Sequence, residues 1–168
     1  PLAYSVGVGY AIVYSAMPYV EDDNWWGMSR HLALCGALYG AGSMLLVLLL
    51  KWLLLGRYKP SAHPMWTPFV WCSEAVTNMY ESMAVMSFLN YLRGTPMLPW
   101  AMRLFGAKIG HGVYLDTTDM TEFDCVSIGD HAELNDLSGP QTHLFEDRII
   151  KIGQVRIERG ATIRSRCP

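Results

Sequence analysis

One seven-residue phrase occurs three times in the second half of the chain, and it restricts the fold more than any other feature. The copies are Ile109-Gly110-His111-Gly112-Val113-Tyr114-Leu115, then Ile128-Gly129-Asp130-His131-Ala132-Glu133-Leu134, then Ile157-Glu158-Arg159-Gly160-Ala161-Thr162-Ile163. Each opens on Ile, has a small or β-branched apolar residue four places on, and has Leu or Ile six places on. Ala107, Val126 and Val155 stand two places before the three opening isoleucines. Recurrence of this kind marks a solenoid, whose units stack because no single unit buries its apolar face alone.

The phrase has the grammar of a left-handed parallel β-helix, in which six residues form one flat side and the central aliphatic residue points inward. Copies one and two start nineteen residues apart, close to the roughly eighteen of one three-sided coil. Copies two and three start twenty-nine apart, which leaves an excursion of about eleven residues beyond one coil. An antiparallel sheet would also alternate apolar and polar residues, but it does not call for one phrase repeated at near-coil spacing. Residues 107–168 are therefore expected to be an incomplete hexapeptide-repeat β-helix. Asn135-Asp136-Leu137-Ser138-Gly139-Pro140 interrupts it, since Gly and Pro break strands, and Arg164 to Pro168 leave the pattern. With about the roughly three repeats that a solenoid needs, the last coil is expected to be uncapped. Beginning at Pro1 without Met, the chain reads as a piece of a longer protein.

The first half is of another kind. Leu32 to Leu50 are nineteen residues without a charge, nearly enough to cross a hydrocarbon core of roughly 30 Å, and Trp52 to Leu55 extend the run. Gly36 and Gly40, four apart, would let another helix approach closely. The competing reading is a buried helix of a soluble protein. Residues 1–20 are also uncharged and read as most of a second span. Residues 1–60 are thus expected to be a transmembrane region with spans at about 1–20 and 32–55. Glu21, Asp22 and Asp23 with Trp25 and Trp26 lie between the spans, and Lys51, Arg57 and Lys59 come after the second. Basic residues concentrate on the cytoplasmic side, so everything after Lys51, the β-helix included, is expected there, with Arg30 as a minor objection.

Residues 61–106 read as interfacial or membrane-associated helices. Glu74 and Glu81, seven apart, share a helical face; that face is either an intramembrane polar site or, more simply, the wet side of a surface helix. Leu98 to Phe105 form a short amphipathic helix with Pro99 in its first turn and Gly106 as its stop.

Charge and cysteine content exclude several functions. A formal net charge of −2 does not suit nucleic-acid binding, which needs a concentrated basic surface. Cys35, Cys72, Cys125 and Cys167 are far apart and form no Cys-x-x-Cys pair, so neither a zinc site nor a disulfide framework is expected.

Four stretches, KWLLLGRYKP, GTPMLPWAMRLFGAKIG, VYLDTTDMTEFDCVSIGD and QTHLFEDRIIK, resemble the C-terminal membrane region of nonribosomal peptide synthetases related to ε-poly-lysine synthetase. The resemblance covers roughly residues 51–164. It implies membrane spans alternating with soluble domains of hexapeptide acyltransferase type. These domains would join amino acids, held as thioesters on a carrier, to an amine acceptor. It also implies a phosphopantetheine-linked substrate, adenylation and carrier domains of the parent chain as partners, and further β-helix modules beside this one. No adenylation or carrier motif lies in this segment, so no cofactor is expected to be bound by it.

Acyl transfer from a thioester needs a base for the amine and donors for the oxyanion, and histidine is the usual base near neutral pH. Of His31, His63, His111, His131 and His143, the last is the leading candidate because it lies in the excursion between coils. Glu146 or Asp147 would orient it, and Arg148 would hold a pantetheine phosphate or pair with Asp147. Asp116, Thr117, Thr118, Asp119 and Glu122 make a second polar cluster, from which Asp116 and Asp119 are candidate substrate contacts, although solvated turns explain them as well. His111 and His131 are expected at solvent-facing corners, and His31 and His63 at interfaces. Three functions are open on this reading: an aminoacyl-transferring module, a non-catalytic anchor and scaffold that docks a carrier domain, or a transport path between spans. Leu32 to Leu50 offer almost no polar lining for the last.

Overall fold

A computed structural model describes residues 2–165. Helix α1 (Leu2–Glu21) and helix α2 (Trp25–Leu54) form an antiparallel hairpin. The reversal falls on Asp23, whose φ is +51°, and on Asn24, whose side chain caps α2 by accepting from the Gly27 amide at 2.8 Å. Tyr39 donates to Ser5 at 2.8 Å near one end, and Ser15 bonds His31 at 2.8 Å near the other. Gly40 serves the close approach expected of it, since a Cβ there would lie 2.6 Å from the Ser87 carbonyl, but Gly36 has nothing within 4 Å.

Among the described residues α2 alone is long and apolar enough to cross a membrane. In α1 the hydroxyls of Tyr4, Ser5, Tyr10, Tyr14, Ser15 and Tyr19 dilute the apolar character. Of the most apolar stretch of α2, 22% is buried. One stripe, Gly40, Ser43, Met44, Val47 and Lys51, packs inward, while Leu34, Leu38, Leu45, Leu49 and Leu53 face outward and exposed.

Strand β1 (Ser61–Pro64) leads to helix α3 (Pro68–Met79), a π-helical turn over Tyr80–Val85, a 3-10 turn over Leu89–Leu92 and helix α4 (Met97–Phe105). The expected stop at Gly106 is present, with φ of +115° and its amide bonded back to Arg103. The repeats then supply β2 (Lys108–Ile109), β3 (Tyr114–Leu115), β4 (Val126–Ile128) and β5 (Glu133–Leu134). After an antiparallel hairpin of β6 (His143–Glu146) and β7 (Ile149–Ile152), they supply β8 (Val155–Ile157) and β9 (Thr162–Ile163).

The three copies lie on one another in register. β2, β4 and β8 form one parallel stack with Ile109, Ile128 and Ile157 aligned. β3, β5 and β9 form another with Leu115, Leu134 and Ile163 aligned. The fourth position of each copy turns through a positive φ, at Gly112 (64°), His131 (55°) and Gly160 (69°). The second position is glycine where a further repeat lies against it: a Cβ on Gly110 would meet the Asp130 amide nitrogen at 2.6 Å, and one on Gly129 the Arg159 nitrogen at 2.6 Å. His111 and His131 are both exposed but occupy neighbouring positions of the phrase, since His131 matches Gly112.

One apolar core runs through helices and repeats alike. It joins Met44 and Val47 of α2, Tyr80 and Met83 of the π turn, and Leu98, Met102 and Phe105 of α4 to the inward residues of the stacks. The hairpin is the excursion expected between copies two and three. Its β7 strand also pairs antiparallel with β1, so the excursion is tied to the segment just after α2. Arg166, Cys167 and Pro168, which the departure from the repeat and the cysteine reading included, lie outside the described residues, as does Pro1.

Candidate functional site

His143 begins β6 and lies part-buried beside Glu122, whose side chain is 3% exposed. Its Nδ1 is 3.0 Å from Glu122 Oε2. The same oxygen accepts from Thr121 Oγ1 at 2.6 Å and from Thr142 Oγ1. A carboxylate oxygen accepts hydrogen bonds, so the contact suits the tautomer with its proton on Nδ1 and with Nε2 as the acceptor. Among the described residues no hydrogen bond engages Nε2. The ring borders an open cleft of about 410 Å³ lined by Gln141, Thr142, His143, Leu144, Lys151, Ile152 and Gly153. Phe145 meets the ring edge-on, centroids 5.2 Å apart.

Local chain geometry decides which neighbours reach His143. Successive strand side chains point to opposite faces, so Phe145 shares its face and Glu146 does not. Glu146 instead bonds Lys151 across the hairpin at 2.5 Å. That hydrogen bond holds its carboxyl below the ordinary range. Asp147 and Arg148 form the two-residue reversal, with φ of 51° and 60°. Both φ values are positive, as in the mirror-image turns that suit tight hairpins. The Arg148 carbonyl accepts from the Met65 amide at 2.9 Å. The carboxylate beside His143 is thus Glu122, not Glu146 or Asp147.

The other candidates lie apart from it. Asp116 accepts from Arg93 Nε at 3.2 Å, and that guanidinium also bonds the Asp116 carbonyl at 2.6 Å and the Asp136 carboxylate. These bonds staple the chain before α4 to the second stack. Asp119 lies against Gly139, where a Cβ would collide with its carboxylate. Thr117 caps the Asp119 amide at 3.2 Å, and the Thr118 carbonyl accepts from the buried Tyr80 hydroxyl at 2.7 Å. Burial pushes that phenol above its ordinary range. His31 lies in the α1–α2 seam, and His63 stacks on Phe69 at 4.3 Å.

In the sequence Glu122 stands among the turn carboxylates, and nothing in its neighbours marks it as buried. Its partner lies 21 residues away, so only folding unites them. Lys51, part of the basic flank by sequence, is fully buried and donates to Asp124 Oδ2 at 2.6 Å, with its Nζ 3.7 Å from the Trp52 ring centroid. The exposed basic flank after α2 is therefore Arg57 and Lys59. No group of His, Cys, Asp and Glu suited to a metal ion is present among the described residues.

Comparison with known proteins gives one finding of weight. Over 166 residues the chain is 56% identical to delta-poly-L-ornithine synthetase of Acinetobacter baumannii (strain AB307-0294). The match takes in 99% of this chain but spans 12% of that protein's length. No family model matches the chain, and no solved structure matches it. The chain is a relative of part of a poly-amino-acid synthetase, which links it to amide-bond formation.

Proposed function

We propose that this chain belongs to the terminal region of a membrane-bound nonribosomal peptide synthetase, where it transfers aminoacyl groups from a carrier thioester to an amine. The observation that carries the reading is the pairing of His143 with the buried Glu122. The substrate thioester is carried on the phosphopantetheine arm of a carrier domain elsewhere in the parent chain, and ornithine or a similar amino acid is its cargo.

In the reaction the acceptor nitrogen attacks the thioester carbonyl, forming the C–N bond. His143 Nε2 takes the proton that this nitrogen loses. The C–S bond then breaks, and the sulfur leaves with the proton from His143. Glu122 keeps the ring in the required tautomer and stabilises the imidazolium formed between the two transfers, as orienting carboxylates do.

The repeat half is read as the first coils of a left-handed parallel β-helix. Support comes from the in-register ladders and from the positive φ at one position of every copy. α2 is read as a membrane span, supported by its outward leucines. Arg57 and Lys59 favour the cytoplasmic side for the residues beyond α2.

Three donors on one Glu122 oxygen also suit a second reading, a non-catalytic scaffold in which that carboxylate merely stitches β6 to the coil. Glu122→Gln in the parent protein separates the two. For the transferase, product formation falls about a hundredfold or more, by analogy with loss of the orienting carboxylate in catalytic triads, and adenylation is unchanged. For the scaffold, transfer tracks the amount of folded protein alone.

A further inference from the structure

A second cleft, of about 240 Å³, opens between α3 and the β6–β7 hairpin. Its lining is Met65, Trp66, Val70, Trp71, Glu74 and Phe145, so it contains three aromatic rings, one carboxylate and no cationic side chain. The two walls are joined through the Met65 amide on the Arg148 carbonyl at 2.9 Å and through the β1–β7 ladder, where Pro64 pairs with Ile149. Glu74 is exposed and takes part in no ion pair among the described residues. Aromatic faces attract cations through the ring quadrupole, and a nearby carboxylate adds a full charge of the right sign.

Phe145 connects this cleft to the candidate active site. Its ring forms part of the cleft wall and meets the His143 ring at 5.2 Å. A cation held there is one aromatic ring away from the imidazole.

We infer that this cleft binds a primary ammonium group, supplied by the cationic amine acceptor of the transfer reaction. Glu74 receives the ammonium hydrogen bonds, while Trp66, Trp71 and Phe145 supply faces for the charge and walls for the methylene chain. A neutral side chain of the same length gains only the apolar contact. Naming the acceptor as the source rests on the transfer chemistry proposed above; the ammonium preference rests on the cleft alone.

The test uses the full-length parent protein in detergent at low ionic strength, titrated with 1,4-diaminobutane and monitored by tryptophan fluorescence. This probe lacks the carboxylate that an adenylation site activates, and 1,4-butanediol is its neutral counterpart. The expected result is a saturable change with the diamine only, reduced in Trp71→Phe and lost in the Trp66→Phe, Trp71→Phe double variant. Glu74→Gln should raise Kd about tenfold, as expected for a hydrogen bond to a charged group. An unchanged Kd in Glu74→Gln, or an equal response to the diol, overturns the inference. So does a blue shift on adding phosphatidylcholine vesicles with no response to the diamine, which would make Trp66 and Trp71 membrane anchors. Glu74-dependent diamine binding beside undiminished product formation in His143→Ala supports the ammonium cleft and rejects only the transfer reading. Loss of product in His143→Ala, with Glu74→Gln altering neither Kd nor the acceptor KM, rejects only the cleft.

Discussion

Lys51 Nζ lies 2.6 Å from Asp124 Oδ2, so the last turn of α2 is bound to the residue that precedes Cys125 and β4. Asp124 also accepts the Tyr58 amide at 3.1 Å and fills the space where Gly106 has no side chain. One carboxylate thereby fixes the exit of α2, the loop after it and the turn after α4.

Removing one member of such a pair strands the other. Lys51→Met is expected to destabilise the protein by about 3–5 kcal/mol. Lys51→Met combined with Asp124→Asn should cost less than Lys51→Met alone, because the uncompensated charge is gone. Thermal unfolding in detergent, read as loss of the monodisperse peak, measures these and Asp124→Asn alone. A double-variant loss equal to the sum of the Lys51→Met and Asp124→Asn losses would show that the pairing contributes little.

Arg148 distinguishes a turn from a substrate clamp. Two-residue hairpins with positive φ at both places prefer glycine at the second, and a left-handed non-glycine residue costs roughly 1–2 kcal/mol. Arg148→Gly should therefore raise the unfolding temperature and leave transfer activity intact. A large rise in KM for the carrier substrate would return Arg148 to the binding site.

The stacking of the repeats leads to a steric prediction. Gly129→Ala puts a Cβ 2.6 Å from the Arg159 backbone nitrogen, closer than real Cβ contacts come. Gly7→Ala meets nothing within 4 Å. Gly129→Ala should lower the yield of folded protein severely, and Gly7→Ala should not; similar behaviour of the two would contradict the stacked register.

Burial raises both the Cys125 thiol and the Tyr58 phenol above their ordinary values. Each stays protonated when folded at a pH where the unfolded chain would ionise it. Their contribution to stability is therefore full below the unfolded pKa and lost as pH rises through the folded one. Stability should decline from about pH 9 upward. Cys125 should also resist maleimide at pH 8 while the half-buried Cys72 reacts. Rapid labelling of Cys125 in folded protein would contradict its burial.

The sequence makes some of this legible and hides the rest for definable reasons. Ile109, Ile128 and Ile157 announce their own alignment, because a repeated phrase carries its register with it. The left-handed position at Gly112 and Gly160 is visible as glycine, but His131 conceals the third instance. Arg148 conceals the hairpin: Asp147 fits the first place of an Asp-Gly turn, but arginine stands where glycine would signal it. His143 draws notice in the sequence from its place between the second and third repeats. Glu122 is not, because its burial and its contact with His143 arise from chain segments brought together only by the fold. Lys51 looks like a flank charge for the same reason, its partner being 73 residues away.

The most direct measurement is amide formation by the full-length parent in detergent, wild type beside His143→Ala, with adenylation assayed separately. If His143 is the base, product formation falls by about 10²–10⁴-fold while adenylation is preserved. Undiminished product formation in folded His143→Ala protein would contradict the transferase reading and leave this segment an anchor and scaffold.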